Sequence, residues 1–400
     1  MRNFGTVCAW LFVLLTMAKA TSGAKPFRCI MYLTGLTTKY QHISQHDILP
    51  PKDDLQEVSH VIIAFMRSEF FNVDKKPAEY PLFTSVPNVR SRLPNHAKVM
   101  VAIGGWGDTQ GFEKAAKTIT LRKRWARQVA AMVAATKADG VDIDWEYPGG
   151  NRDDYKQIQN SDREWEVEAF VSLLQELRAA LGPERLLSAA VPGKKDDLIA
   201  FTSHTVPRIM KEVDFLNIMT YDLMNRRNSL TTHHSGVQNS KEAMRRYIEL
   251  GASPKHLNLG LGYYVKWFMT QQCDPAELIG CPTQLLEDPK TGADLGKTGG
   301  FSWHDEVPDD VAASFNRAQS DGKYDADGSY YYWDWDELRW WTFDTKKSIQ
   351  TKFDRVVSEL KIGGVFAWGI GEDAPVFEHF QATTHEVSKI RAAVGPKDEL

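Results

Sequence analysis

Long apolar runs are missing from this chain. The longest, from Val7 to Met17, is about eleven residues, and a bilayer-spanning helix needs roughly twenty. No membrane span is therefore expected. That short run follows Arg2 and precedes Ala18-Lys19-Ala20, the pattern of a secretory signal peptide cleaved after Ala20 or, alternatively, near Gly23 and Ala24. Cysteine is scarce as well: there are four, and Cys8 leaves with the leader. Cys273 and Cys281 are close enough to close a small disulfide loop, and Cys29 lies in an apolar run that suits a buried thiol. Charge of one sign is also lacking. With 48 basic and 52 acidic residues the net charge is −4, which excludes the concentrated positive surface that nucleic acid requires. There is no Asn-x-Ser/Thr sequon, no internal repeat and no low-complexity tract.

Cofactor signatures are missing too. Gly292 to Thr298 resembles a phosphate-binding loop but has three residues between its glycines where four are needed. Asp325-Ala326-Asp327-Gly328 hints at a calcium loop, yet Lys323 and Asp334 stand where Asp and Glu should be. His233 and His234 are adjacent, which does not present two rings to one metal as an i, i+4 pair does. No metal, nucleotide or other cofactor is expected.

What is present is a rhythm. Short β-rich apolar runs occur at 28–33, 60–65, 98–104, 140–144, 186–191, 215–220, 257–262 and 364–368, and helical patterns occupy the gaps, clearest at 120–138, 162–181 and 346–360. Continuous apolar strands suit a parallel sheet covered by helices. Eight strand–helix units point to a (β/α)8 TIM barrel, although an open doubly wound sheet has the same local signature. From Tyr264 to about Trp341 the rhythm stops, and a bare loop of that length is uncommon. The expectation is an inserted subdomain at 264–341 between strands seven and eight, with the barrel formed by 25–263 and 342–395. Twelve Trp and thirteen Tyr are many. Exposed flat rings suit stacking partners such as sugars, and part of the surplus is plain core.

The most informative segment runs from Asp139 to Pro148, Asp-Gly-Val-Asp-Ile-Asp-Trp-Glu-Tyr-Pro. Strand alternation sends Asp142, Asp144 and Glu146 to one face. Like charges that close raise one another's pKa, so a proton is held among them near neutral pH. A protonated carboxyl at the C-terminal end of a barrel strand suits a general acid. The same row also fits a solvated acidic face or a hard-metal site. Trp145, on the opposite face, is expected to pack.

This segment resembles the signature of glycoside hydrolase family 18, the chitinases and related endo-N-acetylglucosaminidases. Three further motifs are similar to family positions: Ala102-Ile103-Gly104-Gly105-Trp106, Met219-Thr220-Tyr221-Asp222, and Gly363 to Trp368. The likeness runs from about Phe27 to Phe380 and favours the barrel. It implies that Glu146 protonates the glycosidic oxygen while the substrate's own 2-acetamido oxygen is the nucleophile, an exception to the two-carboxylate scheme. It further implies that Asp144 orients the acetamido group, that Asp142 shares a proton with Asp144, and that Tyr221 and Asp222 complete the pocket. Trp368 is the candidate floor, or else a core residue. Met219, Trp106, Tyr32 and Phe65 are the remaining substrate-binding candidates, with Tyr32 and Phe65 equally readable as filler. The cluster from Tyr330 to Trp335 is either a groove wall or a core. The segment Tyr263 to Trp267 lacks the Tyr-Gly-Arg run of members with the insertion.

The resemblance implies a chitinase, endo-acting, with chitin or chito-oligosaccharide as substrate and retention of configuration. The alternatives are an endo-β-N-acetylglucosaminidase on N-glycan cores and a non-catalytic chitin-binding lectin. The final Lys397-Asp398-Glu399-Leu400 reads as an endoplasmic reticulum retrieval signal. It predicts a luminal protein bound by the retrieval receptor, with secretion the alternative. A monomer is expected.

Overall fold

The computed structural model describes residues 27–35 and 48–394. The leader and the C-terminal tetrapeptide lie outside the described residues. The chain runs through β1 (Arg28–Thr34), β2 (His60–Met66), β3 (Lys98–Gly104), β4 (Gly140–Asp144), β5 (Leu186–Pro192), β6 (Phe215–Met219) and β7 (Leu257–Gly262). It then forms β8 (Tyr264–Met269), β9 (Thr298–Ser302), β10 (Lys323–Tyr324), β11 (Tyr330–Asp334) and β12 (Arg339–Thr342) before returning with β13 (Gly364–Trp368). Strands β1 to β7 and β13 pair in parallel and close into a barrel of order β1-β13-β7-β6-β5-β4-β3-β2. This is the eightfold barrel, and the open-sheet alternative is excluded by the β1–β13 pairing that joins the ends.

Alternation along each strand makes two cores. Cys29, Met31, Leu33, Val99, Val101, Ile103, Val141 and Ile143 face outward and pack under the helices. Ile30, Tyr32, Ile62, Met100, Ala102, Phe215 and Phe366 face the barrel interior. The helix Ile119–Thr136 seals that outer layer with Trp125, Val129, Met132 and Val133, and Thr118 caps it by accepting from Leu121 N at 3.3 Å. The apolar period at 346–360 predicts one unbroken helix. The observed element is α-helical only over Lys346–Lys352 and widens to a π-helix over Phe353–Ser358. Apolar spacing cannot distinguish these, because both forms keep Ile349, Phe353, Val356 and Val357 on the buried side.

Strands β8 to β12 make a separate antiparallel sheet of order β10-β11-β12-β8-β9, inserted between barrel strands β7 and β13. A helix at Asp309–Asp321 also lies in this insertion. Neither its helix nor its strands show a clear pattern in the sequence, since the strands are short and Gly and Asp punctuate them. Two aromatic cores hold the unit together, one around Val265, Phe315, Tyr330 and Trp341 and one around Phe268, Trp333, Trp340 and the Cys273–Cys281 disulfide. The aromatic cluster at 330–335 is therefore core: Tyr330 and Trp333 are buried, and only Trp335 is exposed. Cys29 is the free, buried thiol among the described residues. No helix of the described residues is long and apolar enough to cross a membrane.

Candidate active site

The C-terminal mouth of the barrel opens into a cleft of about 830 Å³. Phe65, Trp106, Asp144, Glu146, Met219, Tyr221, Asp222 and Trp368 all line it, so residues spread over some three hundred positions of sequence converge. The barrel brings together the ends of β2, β3, β4, β6 and β13. Strand β4 itself stops at Asp144, and Glu146 stands two residues beyond it. Gly104 and Gly105 permit the close packing here. A Cβ on Gly104 (φ +115°) would lie 2.1 Å from the Asp144 carbonyl oxygen, and one on Gly105 would meet the Phe65 ring at 2.7 Å. Phe65 in turn stacks on Trp368 with ring centroids 5.5 Å apart.

The loop carrying Glu146 is clamped from behind. Arg152, only 1% exposed, pairs with Glu166 and Glu113 and donates Nε to the Tyr147 carbonyl at 3.1 Å. Glu166 also accepts from Gly149 N at 2.9 Å. Trp145 turns outward as strand alternation requires and stacks on Phe112 at 5.3 Å.

The acid row divides into two layers. Asp142 lies below the cleft, fully buried, and accepts from Ser188 Oγ at 2.5 Å, Tyr32 OH at 2.7 Å and Asn217 Nδ2 at 3.3 Å. Burial pushes its carboxyl up to about 6 against the pull of those donors. Asp144 is 3% exposed, and its Oδ1 has no hydrogen-bond partner among the described residues. Burial first, then Glu146 and Asp142, hold it well above the usual carboxyl range. Glu146 is pushed up to about 8 by burial and by Asp222, with a hydrogen bond from Tyr147 opposing. Such burial is incompatible with a solvated acidic face. Among the described residues no group of three or more His, Cys, Asp or Glu side chains is placed to hold a metal ion.

Of the two readings open for Tyr32, cleft lining and filler, its position supports filler and corrects the substrate-binding one: it is 1% exposed, is not among the cleft-lining residues, and spends its hydroxyl on Asp142. Being one turn of the pleat below the rim, it supports the floor, 5.7 Å from the Trp368 ring. Tyr221 is a neutral phenol, held well above its ordinary value by burial and the surrounding acids. Asp222 is the ionised member: burial would raise it, but Lys266, with Nζ at 3.1 Å, and the Tyr264 hydroxyl at 3.0 Å hold it below the usual range.

Several lining residues were not found from sequence. Lys266 and Tyr264 come from β8, two residues apart and so on one face of the strand, and both reach the cleft; with β8 itself unpatterned in the sequence, that spacing could not be read. Lys194, Arg226, Ser302 and Glu372 come from loops and the inserted sheet with no motif around them. Glu372 accepts from Thr34 Oγ1 at 2.6 Å through one oxygen, and its other oxygen is buried with no hydrogen-bond partner among the described residues.

A parallel eight-stranded barrel whose C-terminal mouth holds, over an aromatic floor, two acids with no cationic partner among the described residues defines the class: a TIM-barrel protein with an enzyme-like cleft. The family model for glycosyl hydrolases family 18 matches residues 28–373, and the chain belongs to that family. It is 28% identical over 312 residues to chitinase 1 of Aphanocladium album, covering 72% of this chain and 65% of that one. It is 24% identical over 309 residues to probable chitinase 10 of Drosophila melanogaster, covering 74% and 13%. The chain thus spans less than two thirds of the length of these relatives. A chitinase crystal structure from Rhizomucor miehei has the same fold, with a TM-score of 0.68 at 19% identity, covering 90% of this chain and 99% of that one.

Proposed function

We propose that this chain is a retaining, endo-acting hydrolase of β-1,4 bonds between N-acetylglucosamine units. The observation that carries the reading is Glu146, a carboxyl pushed up to about 8 and therefore protonated at neutral pH, set beside a second buried acid over Trp368. Glu146 gives its proton to the glycosidic oxygen as the C1–O bond breaks. The substrate's acetamido oxygen closes on C1 from the opposite face. Asp144, protonated and buried, is a poor nucleophile, which supports this assignment; it orients the acetamido N–H instead. Tyr221, a neutral donor, holds the acetamido group, and Asp142 anchors Asp144 from below. Glu146, now anionic, takes a proton from water, which opens the intermediate with retention.

Trp368 and Phe65 supply the apolar floor, Met219 and Trp106 flank it, and Asp222 supports the pocket. A cleft of about 830 Å³ lies toward the upper end of the ~300–1,000 Å³ range of ligand pockets, which suits several linked sugars. A second reading, cleavage of the chitobiose core of N-glycans, is favoured by the terminal Lys397-Asp398-Glu399-Leu400. That tetrapeptide supports residence in the endoplasmic reticulum lumen through the retrieval receptor.

The test compares the protein and its Glu146→Gln variant on chitotetraose and on a high-mannose N-glycan, with the anomer of the first product read by NMR. Chitotetraose cleavage giving the β-anomer, lost in the variant, supports the first reading. Cleavage of the N-glycan alone supports the second. Binding of chitin oligomers without cleavage of either would leave a lectin.

A further inference from the structure

Below Asp142 a line of polar side chains runs through the otherwise apolar barrel interior. Arg28 enters it from β1 at the end opposite the cleft, 7% exposed, and donates Nε to Asn258 Oδ1 at 2.8 Å. Asn258 donates Nδ2 to Asn217 Oδ1 at 2.8 Å. Asn217 donates Nδ2 to Tyr32 OH at 2.9 Å and to Asp142 Oδ1 at 3.3 Å. Both asparagines are fully buried.

The direction of this ladder is forced. An arginine has only donors, so Asn258 must turn its carbonyl to Arg28 and its amide to Asn217. Asn217 must then turn its own amide to Asp142. Reversing Asn217 would face a carbonyl to Tyr32 and Asp142, drawing the Tyr32 hydroxyl away and removing two of the three donors on Asp142. The barrel is also shaped to allow the first link. Arg28 and Asn258 lie on strands separated by β13, where both register with Gly364. A Cβ at Gly364 would come 2.5 Å from Asn258 Oδ1 and 2.6 Å from Arg28 Cβ. Gly364 is the opening through which arginine reaches asparagine.

We propose that Arg28 is a positioning residue for the acid pair: through Asn258 and Asn217 it sets the donor that keeps negative charge on Asp142, below Asp144. The consequence for catalysis rests on the reading of Asp144 and Glu146 given above; the electrostatic consequence for Asp142 does not. The charged and titratable groups facing this set are few. Asp144 on β4, Tyr32 on β1 and Tyr221 beyond β6 surround Asp142, while His60 on β2 and Asp214 before β6 are the neighbours of Arg28. Burial lowers the His60 imidazole to about 3, so it is neutral and adds no second switch. The Arg28 guanidinium also lies over the Phe215 ring at 5.1 Å and donates to the Lys255 carbonyl at 2.8 Å, contacts that fix its place but not the polarity of the amides.

The decisive variant is Asn258→Asp, which keeps the shape and the Arg28 partner but offers Asn217 only an acceptor, so that Asn217 must reverse. Arg28→Met, which removes the donor, is the second variant should the first not fold. Two measurements are made on the full chain: the titration of Asp142 by ¹³C NMR of aspartate-labelled protein, and the pH dependence of kcat and KM on chitotetraose. The expected result is an upward move of the Asp142 titration and of the acid limb of kcat by about half a pH unit or more, since a donor to the anion is lost. KM should change less than about twofold, because no group touching substrate is altered. A merely structural role predicts a lower melting temperature with both titrations in place. Folded variants with the wild-type Asp142 titration overturn the proposal. A wild-type protein that leaves chitotetraose uncut overturns the hydrolase reading instead, and the NMR titration still decides the ladder.

Discussion

The inserted unit and the barrel mouth both bury carboxyl groups, and they treat them in opposite ways. In the insertion, Asp334 accepts from Arg317 at 2.9 and 2.6 Å and from Ser314 at 2.6 Å. Burial alone would raise that carboxyl, yet these donors hold it below its usual range. Just after β12, Asp344 takes the Lys352 ammonium at 2.6 Å, both side chains being at most 2% exposed. At the mouth, Asp144 and Glu146 have no cationic partner among the described residues, and both stand above their usual range. An acid with a built counter-charge is architecture. An acid buried without one holds a proton at neutral pH, which costs stability and suits proton transfer.

The comparison can be broken most forcefully at Glu146. Glu146→Gln should reduce kcat on chitotetraose by ~10²–10⁴-fold, the usual contribution of a general acid, while far-ultraviolet circular dichroism stays unchanged. A loss under tenfold would place the acid elsewhere. At the paired acids the effect should be on stability instead. Lys352→Met strands Asp344 and should lower the unfolding free energy by about 3–5 kcal/mol in urea denaturation. Asp334→Asn loses a charge-assisted contact whose Arg317 partner is 34% exposed, so a smaller loss of about 1–3 kcal/mol is expected.

The smallest effect is the sharpest test of contrast. Glu146 has its folded value raised from 4.5 to about 8, so the folded state binds its proton more tightly than the unfolded chain does. The stability this contributes is fully present below pH ~4.5 and is lost as pH rises toward ~8. Glu146→Gln should therefore be more stable than wild type at pH 8, by ~1 kcal/mol or more, with the gap closing near pH 4. Thermal melts across that range check it; a variant less stable than wild type at pH 8 would mean that Glu146 is paired after all. In the same window, wild-type kcat/KM should fall as pH rises above ~8, because the acid is then deprotonated.

Much of this architecture was legible in advance. All eight barrel strands stand where β-rich apolar runs lie, because a strand covered on both faces needs a continuous apolar segment. Asp142 and Asp144 share a face because the strand period is two, and Glu146, two residues past the end of β4, joins Asp144 in the cleft while Trp145 between them packs outward. Tyr32 and Phe65 could not be told apart in advance, because strand-end position does not say whether a side chain reaches the rim, as Phe65 does, or stops beneath it, as Tyr32 does. The inserted sheet was opaque strand by strand: its pairings join Tyr264–Met269 to Arg339–Thr342 across some seventy residues, and no local pattern encodes a partner that distant. The cleft-lining side chains on loops, Glu372 and Arg226 among them, had no periodicity to betray them.

By itself the sequence determined the eight-unit rhythm, the acid row and the residue types of the cleft, all of which follow from local periodicity and side-chain chemistry. The tertiary structure alone decided which acids lack a counter-charge, that Lys266 stands against Asp222, and that Arg28 reaches Asn258 past a glycine on the strand between them. Closing the barrel is what sets these apart. It brings strands from opposite ends of the chain within hydrogen-bond distance and removes water from the interior, so the charge state of each acid depends on neighbours that sequence spacing does not specify.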